Sequence, residues 1–336
     1  MRIQTISKFI VYVTLIAACP SAMAWFTSPS SLSPENDLKF PTELQEFSGY
    51  PGSNSIYDRA RSRTVVRDVK KVEEKLTTNE QGVVTVISTE VMDTVIEEIL
   101  IKYASEKAPA VILLHACGGI TGRTIVDLGR WTRFLTENGF VVLVMNHLSK
   151  RGEKTNCHGK SRPVNVDRLA KDVFDATEAL SKIPTVDSQR IFTLGFSMGA
   201  ITGAYVSDIA DRSEFKDIKK PRGVVGLYGG CAWSGSGESY LNGDGSIPVL
   251  WLMGGADTET APQPCISGAK QMKERLPPSD WHIYDGMTHC WDCQGLNGYT
   301  QVTPGGYKHT YIYNEAATRD SERRILEFYR RFEHVN

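Results

Sequence analysis

The sequence has no excess of charge of either sign. Its 38 lysine and arginine residues are balanced by 39 aspartate and glutamate residues, which leaves a formal net charge of −1. Nucleic acids and anionic membranes attract proteins through clustered positive charge. The charge balance therefore gives no electrostatic case for either of them as a partner, and we expect no nucleic acid.

Long apolar runs are also missing, apart from a short one near the start. The run from Phe9 to Ala18 is too short to span a bilayer and follows two basic residues. With the small residues of Ala22-Met23-Ala24 behind it, the segment over 1–24 has the features of a signal peptide. We predict cleavage after Ala24 and a secreted or periplasmic protein without a transmembrane segment. A lipid anchor at Cys19 is the alternative. The oligomeric state stays open.

Close cysteine pairs are scarce as well. Cys290 and Cys293, in the stretch "GMTHCWDC", form a C-x-x-C, but no second close pair has zinc-finger or ribbon spacing. Haem-attachment motifs have their histidine after the second cysteine, whereas His289 precedes this pair. A thioredoxin-like motif should open a helix after an early strand, and this pair comes late. A metal site made by His289, Cys290 and Cys293, with or without Cys265, is an alternative.

The chain divides into an irregular beginning and a regular remainder. Residues 25–62 are rich in Ser, Pro, Gly and Asn without periodicity, which predicts an extended arm. Valine and isoleucine clusters over 83–87 and 95–101 predict antiparallel strands at the N-terminal edge. We expect a single α/β domain over 63–336.

From residue 110 onward, short apolar runs alternate with helical stretches. Continuous apolar runs predict strands that are buried on both faces, and the alternation predicts a parallel sheet with helices on both sides. Apolar residues recur at helical spacing over 125–135, 169–180 and 325–332, and Asp167 is predicted to cap the second of these helices. The predicted strands are 110–114, 140–145, 190–196, 223–228, 249–253 and, as the last one, 281–284.

A G-x-S-x-G motif lies at the end of one predicted strand. Gly195-Phe196-Ser197-Met198-Gly199 follows the strand and opens a helix, which is the setting of a nucleophile elbow. Glycines permit the tight turn that exposes the Ser197 hydroxyl, and the helix directs its first amides at an oxyanion. Ser197 is therefore the predicted nucleophile. A structural serine in a glycine-rich turn is the alternative.

A serine nucleophile needs a base and an acid, which follow it in the chain in this architecture. His289 lies in the loop just after a predicted strand and is the predicted base, with His309 in reserve. Asp257 follows the strand over 249–253 and is the predicted acid, because a carboxylate there can fix the tautomer of His289. Asp244 and Glu259 are the alternative acids.

The oxyanion hole needs a backbone N–H from each of two loops. The first is that of Met198, directly after the nucleophile. The second should come from "HACGG" after the first parallel strand, and Cys117 or Gly118 is the predicted donor. His115, at the start of this loop, is expected to orient it.

With these motifs, the chain resembles the dienelactone hydrolase family of α/β-hydrolases from about residue 110 to 332. The resemblance implies an α/β-hydrolase fold and hydrolysis of esters or lactones by Ser197, His289 and Asp257, without a cofactor or a metal. The motifs that carry it, in this order, are "VILLHACGG", "RIFTLGFSMGA", "VVGLYGG", "PVLWLMGGADTETAP", "YDGMTH" and "YNEAATRDSERRILEFYRRF".

Two departures from the family affect the expected substrate. Members that open dienelactones have a cysteine nucleophile, where this chain has Ser197, and a glutamate in the first loop, where it has Ala116. Both favour the serine-type, carboxylesterase-like branch, with a small-molecule or polymer ester as substrate. A serine peptidase or amidase with the same triad, or a non-catalytic binding scaffold, are the rival functions.

The remaining candidates lie at the same edge of the predicted sheet. The aromatic residues Tyr228, Trp233 and Trp291 are candidates for lining the pocket, with plain packing as the alternative. The six cysteines after Cys19 all fall in loops at this edge, and an oxidising compartment favours disulfides. The predicted bridges are Cys290–Cys293, Cys231–Cys265 and Cys117–Cys157.

Overall fold

The computed structural model describes most of the chain from residue 107 onward and three short segments before it. The described residues are 37–40, 75–78, 84–87, 107–157, 164–231, 239–242, 246–273, 279–302 and 306–333. The predicted signal peptide, the lipid-anchor candidate Cys19 and the predicted strand over 95–101 lie outside them. No helix of the described residues is both long and apolar enough to cross a membrane.

Two short strands precede the main sheet. Strand β1 (Lys75–Thr78) pairs with β2 (Val84–Ile87) in antiparallel register. The two strands form a sheet of their own and are not hydrogen-bonded to the edge of the central sheet. The strand predicted over 83–87 is confirmed as a member of an antiparallel pair. Its partner β1 was not predicted, and the pair forms a separate small sheet rather than the N-terminal edge of the central sheet.

A six-stranded parallel sheet forms the centre of the described structure, as predicted. The strands β3 to β7 are almost wholly buried, apart from the first half of β5, in keeping with their runs of Val, Ile and Leu. The last strand is half-buried at the edge. The spatial order is β4-β3-β5-β6-β7-β8. The strands are β3 (Ala108–Leu114), β4 (Val141–Met145), β5 (Val186–Phe196), β6 (Gly223–Leu227), β7 (Val249–Gly254) and β8 (Asp280–Tyr284).

Helices cover both faces of this sheet. Two of them pack on one face through residues such as Trp131 and Phe328. The other three pack on the opposite face through residues such as Val173, Tyr205 and Ala269. The first pair is α1 (Thr124–Glu137) and α5 (Glu315–Glu333), and the other three are α2 (Val166–Ser181), α3 (Met198–Ile209) and α4 (Gln263–Lys273). The layered α/β architecture predicted from the alternation is confirmed.

The cap of α2 differs from the prediction. Asn165, not Asp167, is the N-cap residue, and its side chain accepts a hydrogen bond from the N–H of Arg168. Asp167 lies in the first turn, where its carboxylate accepts a 2.6 Å hydrogen bond from the hydroxyl of Tyr205. The helix begins two residues earlier than a cap at Asp167 requires, and Asn at the N-cap satisfies a first-turn amide equally well.

Residues 37–40 of the predicted arm contact α2 and the core. The Asp37 carboxylate pairs with Arg168 and Lys171 at 3.0 Å each. Leu38 and Phe40 pack against the hydrophobic cluster on the same face of the sheet. These four residues have no regular secondary structure, as expected for the arm.

A β-hairpin follows the strand that the sequence predicts to be the last. Strands β9 (Thr300–Val302) and β10 (Lys308–Thr310) pair in antiparallel register, so the prediction that 281–284 is the final strand is wrong. Each strand has three residues that are mostly exposed, so no apolar run marks it in the sequence. The hairpin and its flanks carry exposed apolar side chains, among them Tyr307 and Ile312.

Candidate active site

Ser197 occupies a strained turn between a strand and a helix. It lies between the end of β5 and the start of α3, with a φ angle of 52°. A Cβ atom at Gly195 would overlap the backbone of Gly199, and one at Gly199 would overlap the carbonyl of Leu114 at the end of β3. The two glycines of the motif are therefore required sterically, and the turn lies against the loop that follows β3.

The described residues with positive φ that are not glycine are Ser197, Tyr228 and Cys290. Ser197 follows β5, Tyr228 follows β6, and Cys290 directly follows His289. Such conformations cost free energy and concentrate at functional sites. All three are at the carboxyl edge of the parallel sheet, where ligands bind in this architecture.

Asp257 and His289 are joined in a buried hydrogen-bonded pair. The Asp257 Oδ2 atom lies 2.7 Å from His289 Nδ1, and the residues are 4% and 5% exposed. The Thr260 hydroxyl lies 2.8 Å from Asp257 Oδ2 and 3.1 Å from His289 Nδ1. The other carboxylate oxygen of Asp257 accepts the backbone N–H groups of Glu259 and Thr260 at 2.8 Å each. The carboxylate is thus held in one orientation by several donors.

The environment of the pair favours a charged imidazolium. Burial alone raises the pKa of Asp257, but the hydrogen bond and charge of His289 and the donors of Thr260 outweigh it, so the pKa is lowered. Burial alone lowers the pKa of His289, but Asp257, with the charges of Glu259 and Asp292, raises it above its ordinary value. An Asp–His pair tuned in this way can accept a proton at His289 and stabilise the charge that results.

The far nitrogen of His289 lies towards Glu259. Glu259 Oε2 is 3.9 Å from His289 Nε2 and accepts a 2.8 Å hydrogen bond from the Tyr311 hydroxyl. Tyr311 directly follows β10, so the hairpin lies on this side of the imidazole. In the described part of the chain, the hydrogen bonds of the His289 ring go to Asp257 and Thr260, and none reaches Ser197. Serine–histidine contacts in ligand-free enzymes often tighten only when substrate is bound.

Tyr228 links the turn of Ser197 to the Asp–His pair. The Ser197 N–H donates to the carbonyl of Leu227, and the next carbonyl, that of Tyr228, accepts the hydroxyl of Thr260 at 2.8 Å. The Tyr228 ring also lies 4.8 Å from the His289 ring, between centroids. The residues that sequence reasoning assigns to the nucleophile, acid and base therefore share one network at one edge of the sheet.

The loop after β3 has free backbone donors. Within the described residues, the N–H groups of Cys117 and Gly118 donate no hydrogen bond, while the Cys117 carbonyl accepts the N–H of Asn156 at 2.7 Å. Met198 is the first residue of α3, so its N–H has no acceptor within the helix. These are the three amides predicted for an oxyanion hole.

The His115 side chain fixes this loop through hydrogen bonds of its ring. Its Nε2 atom accepts the backbone N–H of His147, so Nδ1 carries the proton and donates to the carbonyl of Ala116 at 2.7 Å. Burial, together with the charge of His147, lowers the pKa of His115 to about 3, so the ring stays neutral. His147 in turn lies 2.9 Å from the buried carboxylate of Asp172, which also pairs with Arg151. The expectation that His115 orients the loop agrees with these contacts.

The structure joins six cysteines in the three predicted pairs: Cys117–Cys157, Cys231–Cys265 and Cys290–Cys293. The sulfur atoms of Cys290 and Cys293, with the carboxylate of Asp292, also form a close group of potential metal ligands. Sulfurs bonded to one another are not thiolates, and thiolates are the form that binds zinc. In the disulfide form this group is therefore unsuited to hold the metal of the alternative interpretation.

The reserve candidates occupy other positions. His309 lies on β10 and contacts the hydroxyl of Thr258 at 2.8 Å rather than Asp257. Glu259 lies beside the imidazole, as described above, but on the Nε2 side. Asp244 and Trp233 lie outside the described residues. Trp291 is fully buried, and its indole N–H donates to Ser321 on α5, so it packs in the core.

Sequence reasoning missed several residues of the site. Thr260 stands three residues after Asp257 in "DTET", a spacing at which a threonine amide and hydroxyl can bind an aspartate, and this signal could have identified it. Tyr311 reaches Glu259 from the unpredicted hairpin. Asp127 and Asp292 come together from α1 and the loop after β8, and no local pattern reveals such a contact.

The fold and these residues define the class of protein. A parallel sheet covered by helices, a strained serine between strand and helix, and a buried Asp–His pair at the same edge are the architecture of an α/β-hydrolase. A sequence model described as "Dienelactone hydrolase family" matches residues 96–333, and the chain belongs to this family. The resemblance inferred from the motifs is confirmed, and the chain is a hydrolase that acts on ester bonds.

Solved structures with a similar fold include an esterase from Thermogutta terrifontis. Its butyrate-bound form matches with a TM-score of 0.51 and 14% identity, over 68% of this chain and 85% of that chain. The same esterase phosphonylated by cyclosarin matches with a TM-score of 0.50 and 13% identity, over 68% of this chain and 85% of that chain. At such identities the likeness shows the fold alone. A comparison with curated proteins finds no match.

Proposed function

We propose that this chain is an exported serine hydrolase that cleaves carboxylic esters or lactones through an acyl-enzyme on Ser197. The observation that carries the proposal is the buried Asp257–His289 pair, 2.7 Å apart, at the same sheet edge as the strained Ser197. A neutral histidine whose Nδ1–H is fixed by a carboxylate is the base that a serine hydroxyl requires.

In the acylation step, Ser197 Oγ attacks the ester carbonyl carbon and its proton passes to His289 Nε2. The negative charge that develops on the carbonyl oxygen is held by the N–H of Met198 and that of Cys117 or Gly118. The intermediate then collapses: the bond to the alcohol oxygen breaks, and His289 gives its proton to that oxygen. The product is an ester between the acyl group and Ser197.

In the deacylation step, water takes the place of the alcohol. His289 Nε2 accepts a proton from the water as its oxygen attacks the acyl carbon, and the same amides hold the oxyanion. Collapse breaks the bond to Ser197 Oγ, which takes back a proton from His289. The carboxylic acid leaves, and the enzyme returns to its starting protonation. Asp257 stabilises the imidazolium in both steps.

The substrate is proposed to be a carboxylic ester other than a dienelactone. Family members that open dienelactones carry a cysteine nucleophile and a glutamate in the first loop, and this chain has Ser197 and Ala116 at those places. Ala116 is half-buried at the start of the loop and has no charge to offer a substrate carboxylate. An uncharged ester fits these residues better.

Export is the second part of the proposal. It is supported by the signal-peptide features of residues 1–24 and by the three disulfides, since disulfides persist in oxidising compartments. Mass analysis of protein secreted by the source cells would test it. A mature chain that begins at Trp25 supports cleavage after Ala24, and an uncleaved chain retained in the cytoplasm contradicts export.

The hydrolytic part is tested with p-nitrophenyl esters of increasing acyl length, run beside the matching anilides and the Ser197→Ala variant. We expect hydrolysis of esters, little hydrolysis of anilides, and a loss of kcat of roughly a millionfold in Ser197→Ala. Equal rates of wild type and variant would overturn the mechanism. Faster turnover of anilides than of esters would point to a peptidase or amidase instead.

A further inference from the structure

A cavity that is partly open to solvent lies beside the site. Three of its lining residues are chain neighbours of the proposed machinery: Ala116 precedes Cys117, Phe196 precedes Ser197, and Cys290 follows His289. The wall is almost wholly apolar and includes the Trp131 ring and the Cys290–Cys293 disulfide. This cavity, called the rear pocket below, is thus an apolar space bounded by the segments that carry the reaction.

One polar side chain of the rear pocket is incompletely bonded. Asp127, on α1, lines the pocket and is 7% exposed. Its Oδ1 atom accepts the N–H of Gly295 at 3.2 Å, and its Oδ2 atom has no hydrogen-bond partner among the described residues. A buried carboxyl oxygen without a partner costs free energy, and in native proteins such an atom usually has a reason, such as a ligand.

The surroundings of Asp127 raise its pKa to about 7, so the carboxyl group is mostly protonated below neutral pH. Burial, and then the charge of Asp292 on the neighbouring loop, raise this pKa, while the N–H groups of Gly295 and Gln294 and the charge of Arg130 on the same helix lower it. Tyr228, which follows β6, also lines the rear pocket. Burial and the charge of Asp292 raise the pKa of Tyr228 well above 10.0, so its hydroxyl stays neutral. Because Oδ1 accepts a hydrogen bond, the proton belongs on Oδ2, which then is a donor without an acceptor.

The rear pocket lies on the acyl side of the proposed reaction. His289 Nε2 must protonate the leaving alcohol, and this nitrogen faces Glu259 and the β9–β10 hairpin. Neither His289 nor Glu259 lines the rear pocket, whereas Ala116, beside the proposed oxyanion amide, does. The alcohol therefore leaves towards the hairpin, and the acyl chain extends towards Asp127.

We infer that the rear pocket binds the acyl chain of the substrate and that Asp127 selects chains that carry an uncharged hydrogen-bond acceptor, such as a keto or ether oxygen. The apolar part of the acyl chain packs against the wall of the rear pocket, and the keto or ether oxygen of the chain accepts a hydrogen bond from Asp127 Oδ2. A carboxylate at that place would lie beside the charge of Asp292 and is disfavoured. This inference rests on the proposed ester hydrolysis and names the substrate class.

The test compares p-nitrophenyl esters in matched pairs, each an oxoalkanoate and the plain alkanoate of the same length, with the keto group moved stepwise along the chain. The measured quantity is the ratio of kcat/KM within each pair, divided by the ratio for alkaline hydrolysis. For the pair whose keto oxygen reaches Asp127, we expect wild type to favour the oxoalkanoate by about tenfold or more.

Two variants separate recognition from folding. Asp127→Asn keeps a donor of the same shape and should keep most of the preference, while Asp127→Leu removes the donor and should abolish it. Thermal unfolding transitions close to that of wild type show that both variants are folded. A ratio near one in wild type at every keto position, or an undiminished preference in Asp127→Leu, would overturn the inference.

The pH dependence of the same ratio adds an independent readout. The titration of His289 affects both esters of a pair equally and cancels in the ratio. Loss of the Asp127 proton as pH rises through about 7 should therefore lower the preference in wild type but not in Asp127→Asn. A wild-type ratio that stays constant from about pH 6 to about pH 8 contradicts a proton donor at this position. If wild type fails to hydrolyse even the plain ester, the proposed function is what has failed.

Discussion

Asp257 and Asp127 are both buried carboxylates at the same edge of the sheet, and their proton affinities are shifted in opposite directions. Burial raises the pKa of both. For Asp257, the His289 ring and the donors of Thr260 reverse the effect, whereas for Asp127 the charge of Asp292 adds to the effect and the amides of Gly295 and Gln294 do not offset it. The bonding partners of a buried carboxylate, rather than its depth, therefore decide whether it is a charged stabiliser of histidine or a neutral donor.

The largest loss of activity is expected when Asp257 is replaced. The Asp257→Asn variant should lose about 10⁴-fold in kcat on a plain p-nitrophenyl ester, because an amide neither stabilises the imidazolium nor fixes the tautomer of His289. The matched Asp127→Asn variant should stay within about threefold of wild type on the same ester. Steady-state kinetics of the two variants would contradict the account if both fell equally.

Removal of two of the disulfides is expected to affect stability and activity to different extents. Cys231 and Cys265 are 34 residues apart, and replacing both by alanine should lower the free energy of unfolding by about 3 to 4 kcal/mol. Cys290 and Cys293 are 3 residues apart, so their replacement should cost only about 1 to 2 kcal/mol. The second change should nevertheless lower kcat more, because Cys290 directly follows His289, and Cys290 and Cys293 line the rear pocket.

Denaturant unfolding and steady-state kinetics of the two double variants measure both quantities. A larger loss of kcat in the Cys231/Cys265 variant than in the Cys290/Cys293 variant would show that the second bridge does not hold His289. Reductant should lower both the free energy of unfolding and kcat of the wild-type protein, as the two double replacements do.

Thr260 helps to keep Asp257 charged, because its amide and hydroxyl lower the pKa of the carboxyl group. The Thr260→Val variant keeps the shape of the side chain but removes the hydroxyl that contacts Asp257 Oδ2, the Tyr228 carbonyl and His289. We expect kcat to fall by about ten- to a hundredfold. Thr258→Val, which affects only the contact to His309, is the matched control and should leave kcat near that of wild type. Equal kinetics of the two variants would remove Thr260 from the site.

The smallest effect is a shift in the pH profile. The charged partners raise the pKa of His289 above 6.5, so kcat/KM should be lost as pH falls through that raised value, because a protonated imidazole accepts no proton. Glu259→Gln removes one of the charges that raise this pKa and should move the acidic limb to lower pH, by less than about one unit. An unmoved limb would mean that Glu259 does not act on His289.

The titration of His289 should change stability and activity in opposite directions, because loss of its proton permits catalysis but weakens its interaction with Asp257. The raised pKa of His289 gives a contribution to folding that is fully present below 6.5 and is lost as pH rises through the folded-state value. The lowered pKa of Asp257 gives a contribution that is present above 3.8 and is lost as pH falls through its folded-state value. Thermal unfolding of the Asp257→Asn variant should lack the second dependence and show a weaker first one, because Glu259 and Asp292 still act on His289.

The sequence predicts those parts of the fold and site that have a local pattern. Continuous apolar runs identify the six parallel strands, and the turn chemistry around Ser197 identifies the elbow, because both depend on neighbouring residues. The β9–β10 hairpin has no apolar run, and the partners of Asp127 come from α1 and a loop more than a hundred residues away. Contacts of this kind arise only when the sheet brings distant segments to one edge.

The measurement that tests the central claim most directly is covalent trapping of the nucleophile. Folded protein is incubated with a fluorophosphonate, and its peptides are mapped by mass spectrometry, with Ser197→Ala and His289→Ala beside it. The account predicts a single phosphonyl group on Ser197, none on the Ser197→Ala variant, and much slower labelling of His289→Ala. No labelling of folded wild-type protein, or labelling at another residue that persists in Ser197→Ala, would contradict it.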